Sequence, residues 1–298
     1  MELTNNEVKL EDLIKNGDVK QTGPFVIDKA LEYKPSIENI ELIKEILILY
    51  RNYISSLSLL EEYKENFLEA LRKEETKKNQ MLEDIDPFVI SILMKTYPHS
   101  ATMIAIDKKH KNIKLTKETL CKMNGILING LNKGDKIHGF RKSNNSFVGT
   151  KIGKTKNISY IPIDYKQIEQ TAKAILNIYN ENIKKEEEIL IKPMIIHALV
   201  AALQMFKDAN TRLARILQHI EFWDLSSKFY SLELPTPALF TSESLFNKRD
   251  EYRELIKEIA INPNNEAFDN WITFNALIFE KQIYKNQDKL EKCHKAFK

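Results

Sequence analysis

The sequence predicts an all-α protein, a helical bundle with one small β-hairpin. Apolar residues recur at three- and four-residue spacing along most of the 298 residues, and only 8 residues are glycine. Short β-prone pieces occur in one segment, between two helical regions. The formal net charge of +3 is small for this length. Charge therefore indicates neither nucleic acid nor a membrane surface as a partner.

The first third of the chain predicts helices. Residues 38–78 carry apolar positions at helical spacing, and Pro87 and Pro98 interrupt the pattern. A boundary near residue 110 is the only plausible division of the chain. We therefore expect residues 1–110 to form a helical N-terminal extension and residues 111–298 a core with C-terminal helices.

The middle of the chain predicts a helix and then the hairpin. Thr116 precedes the residues KETL as a helix N-cap, and the helix should run to about Leu131. Residues 139–163 hold three glycines and the two β-prone pieces FVG and ISYIPI. We interpret this segment as a hairpin or flap that Pro162 ends.

Helices account for the rest of the chain. Residues 164–186 predict an amphipathic helix, and residues 189–206 are apolar nearly all round, which indicates a helix buried at the centre of the bundle. After a short polar loop the helical pattern resumes at RLARILQHIEFWDL, and two more helices are expected near 243–260 and 266–292.

The N-terminus and the cysteines bear on the compartment. The start of the chain, MELTNNEVKLEDL, is polar and acidic, which is unlike a signal peptide. No apolar run reaches the roughly 18–20 residues that a membrane span needs. Cys121 and Cys293 lie far apart, as expected of free thiols in a reducing compartment. The expectation is a cytoplasmic protein without a membrane partner; a specialised export route would leave no mark in these features.

The polar loop in the segment QMFKDANTRLAR, residues 204–215, predicts an anion site. The free amides at the start of the following helix favour anions, and Arg212 and Arg215 share one face of its first turns. Guanidinium groups match phosphate oxygens, and Asp208 could hold a divalent cation that bridges two phosphates. We call this predicted site the phosphate seat. In the alternative interpretation, Asp208 caps the helix and the two arginines pair with acids elsewhere.

The same segment resembles the motif of the Fic family, which runs His, Pro, Phe, any residue, Asp or Glu, Gly, Asn, Gly, Arg, two more residues, Arg. Phe206, Asp208, Asn210, Arg212 and Arg215 stand in register. The resemblance extends over roughly residues 100–285. It includes LTKETLCKMNGILINGL before the flap, GFRKSNNSFVG and ISYIPI in the flap, and FTSESLFNKRDEYRELI beyond the motif.

The resemblance implies a Fic-type helical bundle and transfer of AMP from ATP to a protein hydroxyl, with Mg²⁺ as the metal. If the family's roles apply to the matching positions, Asp208 is the metal ligand, and Asn210, Arg212 and Arg215 contact phosphate. Ala209 and Thr211 complete the ATP-binding loop. The flap, residues 139–163, would bind a target protein as an added strand. Self-association is also implied, although the sequence offers no exposed apolar stripe as its interface.

Departures from the family pattern indicate impaired catalysis. Gln204 stands where the family has its general base, and an amide accepts no proton at neutral pH. His197 lies about two turns before Gln204 and His219 lies beyond the loop on the other side, so both are beyond hydrogen-bond reach. Ala209 and Thr211 replace the two motif glycines, so a positive φ at either position would be strained.

A further departure concerns regulation. Many Fic proteins carry an inhibitory helix whose Glu pairs with the second motif arginine. HSATMIAID, residues 99–107, aligns with that helix and puts Ile104 in the Glu place. The absence of both the general base and the inhibitory Glu predicts a catalytically impaired or repurposed adenylyltransferase that still binds a nucleotide. Two alternatives remain: an active nucleotidyl- or phosphocholine-type transferase with altered chemistry, for which Ala209 is suggestive, and a helical protein-interaction module without catalysis.

Overall fold

The computed structural model confirms an all-α fold with a small antiparallel sheet. It describes residues 2–3, 14, 17, 19–60, 63–83, 113–129, 139–152 and 155–296. The strands are β1 (Glu2–Leu3), β2 (Val148–Ile152) and β3 (Thr155–Tyr160). The helices are α1 (Phe25–Glu32), α2 (Ile37–Ser58), α3 (Lys64–Met81), α4 (Lys117–Asn129), α5 (Ile168–Asn180), α6 (Glu188–Leu203), α7 (Asn210–Tyr230), α8 (Ser242–Phe246), α9 (Arg249–Ile261) and α10 (Asn265–Ala296).

Helices α6 and α7 form the centre of the bundle. From Ile189 to Leu203 every side chain of α6 except that of Lys192 is buried, as the all-round apolar pattern predicts. Helix α7 packs against α6 along its length, and α9, α10 and α5 also contact α6. The indole of Trp271 on α10 is fully buried and donates to the carbonyl of Met194 on α6, 2.8 Å away. The loop between α6 and α7 is therefore anchored in the buried centre of the bundle.

The predicted flap is a hairpin in a three-stranded sheet. Strands β2 and β3 pair antiparallel, which confirms the two β-prone pieces. The order is β1-β3-β2, so the central strand is β3 and the N-terminal strand β1 pairs with its other edge. The sequence did not predict β1, because a two-residue strand has no readable alternation.

The helix bounds differ in detail from the sequence-based prediction. Thr116 does cap α4, since its hydroxyl accepts from the amide of Thr119 at 3.2 Å. The predicted helix over 164–186 begins with a short 3-10 turn and ends at Asn180. The central helix stops at Leu203, three residues earlier than predicted, because Gln204 adopts a left-handed backbone. Helices α8 and α9 divide the segment predicted near 243–260.

No helix in the described part of the chain is both long and apolar enough to cross a lipid bilayer.

Helix α3 is fastened to the bundle through a buried carboxyl group. Glu75 accepts hydrogen bonds from the amide and hydroxyl of Ser242, at 3.1 and 2.6 Å. Burial raises the pKa of Glu75 to about 7, even though the Ser242 bonds and the charge of Arg215 oppose this shift. The ring of His219 lies 3.5 Å from the same carboxyl group, and burial holds the pKa of this histidine well below its ordinary value. Both groups are thus neutral in the core at mildly acidic pH.

We predict that Glu75 makes stability fall as pH rises. The folded state holds the Glu75 proton more tightly than the unfolded chain does, so the loss develops between roughly pH 4.5 and pH 7. Glu75→Gln keeps an acceptor for Ser242 and cannot ionise. Between pH 5 and pH 8 the free energy of unfolding of the wild type should fall, relative to this variant, by on the order of 2–3 kcal/mol.

Denaturant unfolding at both pH values measures this difference. Glu65→Gln, an exposed position on the same helix, serves as the control, and because it keeps Glu75 its stability should change with pH in parallel with that of the wild type. Parallel stability curves for the wild type and Glu75→Gln would contradict the prediction.

Candidate functional site

The loop between α6 and α7 is bounded by two residues in the left-handed conformation. Gln204 ends α6 with φ 51° and Ala209 precedes α7 with φ 63°. A left-handed residue other than glycine costs roughly 1–2 kcal/mol. Ala209 therefore keeps the backbone shape that a glycine would adopt there, at some cost in stability. Thr211 already lies inside α7 and needs no positive φ. Of the two positions at which backbone strain was expected, Ala209 is strained and Thr211 is not.

The side chains of Gln204 and Asn210 close this loop on itself. Gln204 Nε2 donates to the carbonyl of Ala201 at 2.6 Å, and its Oε1 accepts from Asn210 Nδ2 at 2.9 Å. Asn210 Nδ2 also donates to the carbonyl of Phe206, and its Oδ1 accepts from the amide of Phe206 at 2.8 Å. The residue at the base position and the asparagine predicted to contact phosphate are thus both engaged in holding the loop.

Two neighbouring elements support the loop from outside. At the start of the flap, Arg141 donates from its backbone amide to Met205 O at 3.1 Å and from Nε to Gln204 O at 3.0 Å. On α4, Asn124 Nδ2 donates to Asp208 O at 2.9 Å. Sequence reasoning assigned no role to Arg141 or Asn124, because such side chain to backbone contacts leave no spacing pattern. These hydrogen bonds attach the start of the flap and α4 to the backbone of the loop.

Asp208 and Arg212 form an ion pair at the edge of the site. Arg212 Nη2 lies 3.2 Å from Asp208 Oδ1, while Arg212 Nη1 donates to Gln80 Oε1 and to the carbonyl of Leu127, each at 3.2 Å. The Asp208 side chain is 66% exposed, so a metal ion could reach it. Among the described residues no group of three or more His, Cys, Asp or Glu side chains could hold a metal ion. Any divalent cation at Asp208 would therefore need further oxygens from its ligand.

Arg215 is fully buried and contacts the end of α3. Its Nε donates to Asn79 Oδ1 at 2.6 Å, and its Nη2 to Glu83 Oε1 at 2.5 Å. Its Nη1 is buried without a hydrogen-bond partner among the described residues. A buried guanidinium needs a negative partner, and in this structure Glu83 provides it. The orphaned Nη1 leaves capacity for one more acceptor.

The acidic partner of Arg215 is a residue that the sequence analysis did not single out. Residues 99–107, with Ile104, lie outside the described residues, whereas Glu83 follows α3 by two positions and occupies the second motif arginine. Burial would raise the pKa of Glu83. The charge and hydrogen bond of Arg215 and the hydroxyl of Thr211 outweigh this effect, so that the pKa is lowered. The family comparison, which aligned Ile104 with the inhibitory Glu, did not identify Glu83 as the partner of this arginine. More than 130 residues separate the partners, too far for any local pattern to reveal the contact.

Neither nearby histidine replaces the missing base. His197 hydrogen-bonds Gln218 through Nδ1 and the Tyr252 hydroxyl through Nε2, and burial lowers its pKa to about 3. His219 Nε2 accepts from the amide of Thr241 at 3.1 Å. Both are core residues with internal partners, as their distance from the loop predicted.

The phosphate seat is closed in this structure. Both guanidinium groups hold carboxylates, Asp208 on Arg212 and Glu83 on Arg215, so the alternative in which the arginines pair with acids describes this state. The Glu83 side chain is 30% exposed and lies outside a helix, and Asp208 is mostly exposed. Two arginines and a solvent-facing acid remain a donor set that fits a phosphate with a cation, provided that Glu83 leaves.

Comparisons with known proteins agree with this geometry. The family described as Fic/DOC matches residues 114–221. No curated protein matches the chain. A Fic domain containing signaling protein from Bacteroides thetaiotaomicron is similar in structure, with a TM-score of 0.59 and 15% identity over 84% of this chain and 98% of that one. A Fic family protein from Desulfovibrio desulfuricans has a TM-score of 0.60 and 11% identity over 86% of this chain and 76% of that one.

Identities this low concern the fold alone. The matched segment contains α4, the flap, α6, the loop and the first turns of α7, whereas the end of α3, which contacts Arg212 and Arg215, lies outside it. Residues 114–221 of this chain thus match the Fic/DOC family in sequence, and the chain is similar in fold to solved Fic proteins.

Proposed function

We propose that this chain is a Fic-family protein whose phosphate seat binds a nucleotide, and whose transfer activity is impaired by the loss of the base at Gln204. In the resting state Glu83 closes the seat. One observation carries the proposal: Glu83 Oε1 lies 2.5 Å from Nη2 of the buried Arg215. A carboxylate there occupies the place in which a phosphate oxygen would satisfy the same guanidinium.

An exchange of anions explains how such a seat would work. A buried Arg215 without a negative partner is strongly destabilising, so removal of Glu83 favours the binding of another anion at this guanidinium. Phosphate oxygens fit this guanidinium with the same geometry as a carboxylate. In the proposed complex Arg215 and Arg212 hold phosphates, Asn210 lies beside them, and Asp208 holds Mg²⁺. ATP with Mg²⁺ would supply the AMP group for transfer.

The residue at the base position limits the transfer step once a nucleotide is bound. Gln204 Oε1 accepts a hydrogen bond and its amide group takes up no proton at neutral pH. A positioned general base contributes roughly 10²–10⁴ in rate, so a deficit of that size is expected. We propose further that a target protein would dock at the flap, where β2 is the edge strand of the described sheet, and that the protein acts in the cytoplasm and as a homodimer.

The second candidate is a helical interaction module without catalysis. The observation that favours it is the internal pairing of both arginines, since these ion pairs could be purely architectural. Nucleotide binding separates the two functions, because an architectural motif has no reason to bind ATP better once Glu83 is changed.

We predict that Glu83→Gln increases affinity for ATP. The substitution keeps an acceptor for Arg215 but removes the competing charge, and a charge-assisted hydrogen bond is worth roughly 1.5–3 kcal/mol. Isothermal titration calorimetry with ATP and Mg²⁺ should give a Kd about tenfold or more below that of the wild type. Glu83→Ala should have an equal or larger effect.

A charge change elsewhere is the matched control. Glu118→Gln, an exposed position in the first turn of α4, should bind ATP as the wild type does. If folded Glu83→Gln and Glu83→Ala both give no heat at millimolar ATP, the interaction module becomes the better account.

We also predict that a base at position 204 restores transfer once the seat is open. In a Glu83→Ala background, Gln204→His should label proteins of a lysate with radioactive AMP at least about 100-fold more strongly than the parent with Gln204. The further change Asp208→Ala should abolish this labelling. Equal labelling with glutamine and histidine at position 204 would show that transfer needs no base from this residue.

A further inference from the structure

A hydroxyl group at one motif position also contacts Glu83. Thr211 Oγ1 donates to Glu83 Oε1 at 2.7 Å, and the same oxygen accepts from Arg215 Nη2. A single carboxylate oxygen thus has two donors, one neutral and one charged. Thr211 and Arg215 are four residues apart on α7, so both donors project from the same helix face toward the end of α3.

The donor at position 211 is a departure from the motif. The motif that the sequence resembles has glycine there, and glycine offers no side chain to hold an acid. Helical geometry also leaves a threonine side chain with only two main rotamers, so the contact with Glu83 removes little rotational freedom from the Thr211 hydroxyl. Forming this hydrogen bond therefore costs little side-chain entropy at Thr211, which favours a stable contact with the Glu83 carboxylate.

We propose that Thr211 is a positioning residue that holds Glu83 on Arg215 and thereby sets how firmly the phosphate seat is closed. The inference depends on the proposed function, since it concerns regulation of the same site. A nucleoside triphosphate must displace Glu83 from both donors, so loss of the hydroxyl should favour the ligand. Arg212 also faces Glu83 with its charge and stays unchanged in the test.

The test uses two substitutions that separate the hydroxyl from the shape of the side chain. Thr211→Val replaces the hydroxyl by a methyl group and keeps the β-branch, whereas Thr211→Ser keeps the hydroxyl and removes the methyl. Calorimetric titration of the full chain with ATP and Mg²⁺ should give a Kd about tenfold lower for the valine variant. The serine variant keeps the hydroxyl and should hold Glu83 as the wild type does, so its Kd should lie well above that of the valine variant.

A double variant tests whether the effect passes through Glu83. In the Glu83→Gln background, Thr211→Val should change the Kd for ATP much less than it does in the wild type, because the charged acceptor is already gone. A merely structural role for Thr211 predicts a lower midpoint of thermal unfolding without this coupling. If the valine variant does not fold, Thr211→Ala takes its place, with Thr211→Ser still controlling for the lost methyl group.

The outcomes distinguish this inference from the proposed function. If Glu83→Gln lowers the Kd for ATP and Thr211→Val leaves it unchanged, the role of Thr211 is overturned and the nucleotide seat stands. If folded Glu83→Gln, Glu83→Ala and Thr211→Val all fail to bind ATP, the proposed function fails and this inference with it.

Discussion

The site depends on one constraint: the buried guanidinium of Arg215 needs a negatively charged partner. Arg215 has no exposed surface, and Glu83 supplies its counter-charge from the end of α3. An unpaired charge at that depth would cost several kcal/mol, so the fold must hold either this acid or another anion there. The same requirement explains why the end of α3, through Asn79 and Glu83, lies against the first turns of α7.

A second constraint is the shape of the loop that carries the motif. Its two ends are left-handed at Gln204 and Ala209, and Asn210 ties its amide and carbonyl groups together. Neither left-handed residue is glycine, so the conformation is imposed by the buried helices on either side and by Arg141 and Asn124 around it. Gln204, at the position where the Fic motif has histidine, contributes to the internal support of this loop.

Prediction from sequence succeeded where local patterns suffice. The buried α6, the cap at Thr116 and the flap between two helical regions follow from periodicity, capping and turn residues. The family resemblance identified Asp208, Arg212 and Arg215 as neighbours, and the structure brings them together at the start of α7. The resemblance did not identify Glu83, because the alignment concerned residues 99–107, whereas Arg215 pairs with an acid at the end of α3.

The amino-acid sequence by itself determined the helical class, the buried central helix, and a motif with cations but no base, since each of these depends on residue type and short-range spacing. Only the tertiary structure decided that the cations are already paired. The contacts of Arg215 with Asn79 and Glu83, and of Thr211 with Glu83, join residues about 130 positions apart. Such contacts arise from the way helices pack, and packing depends on the whole chain rather than on any local pattern.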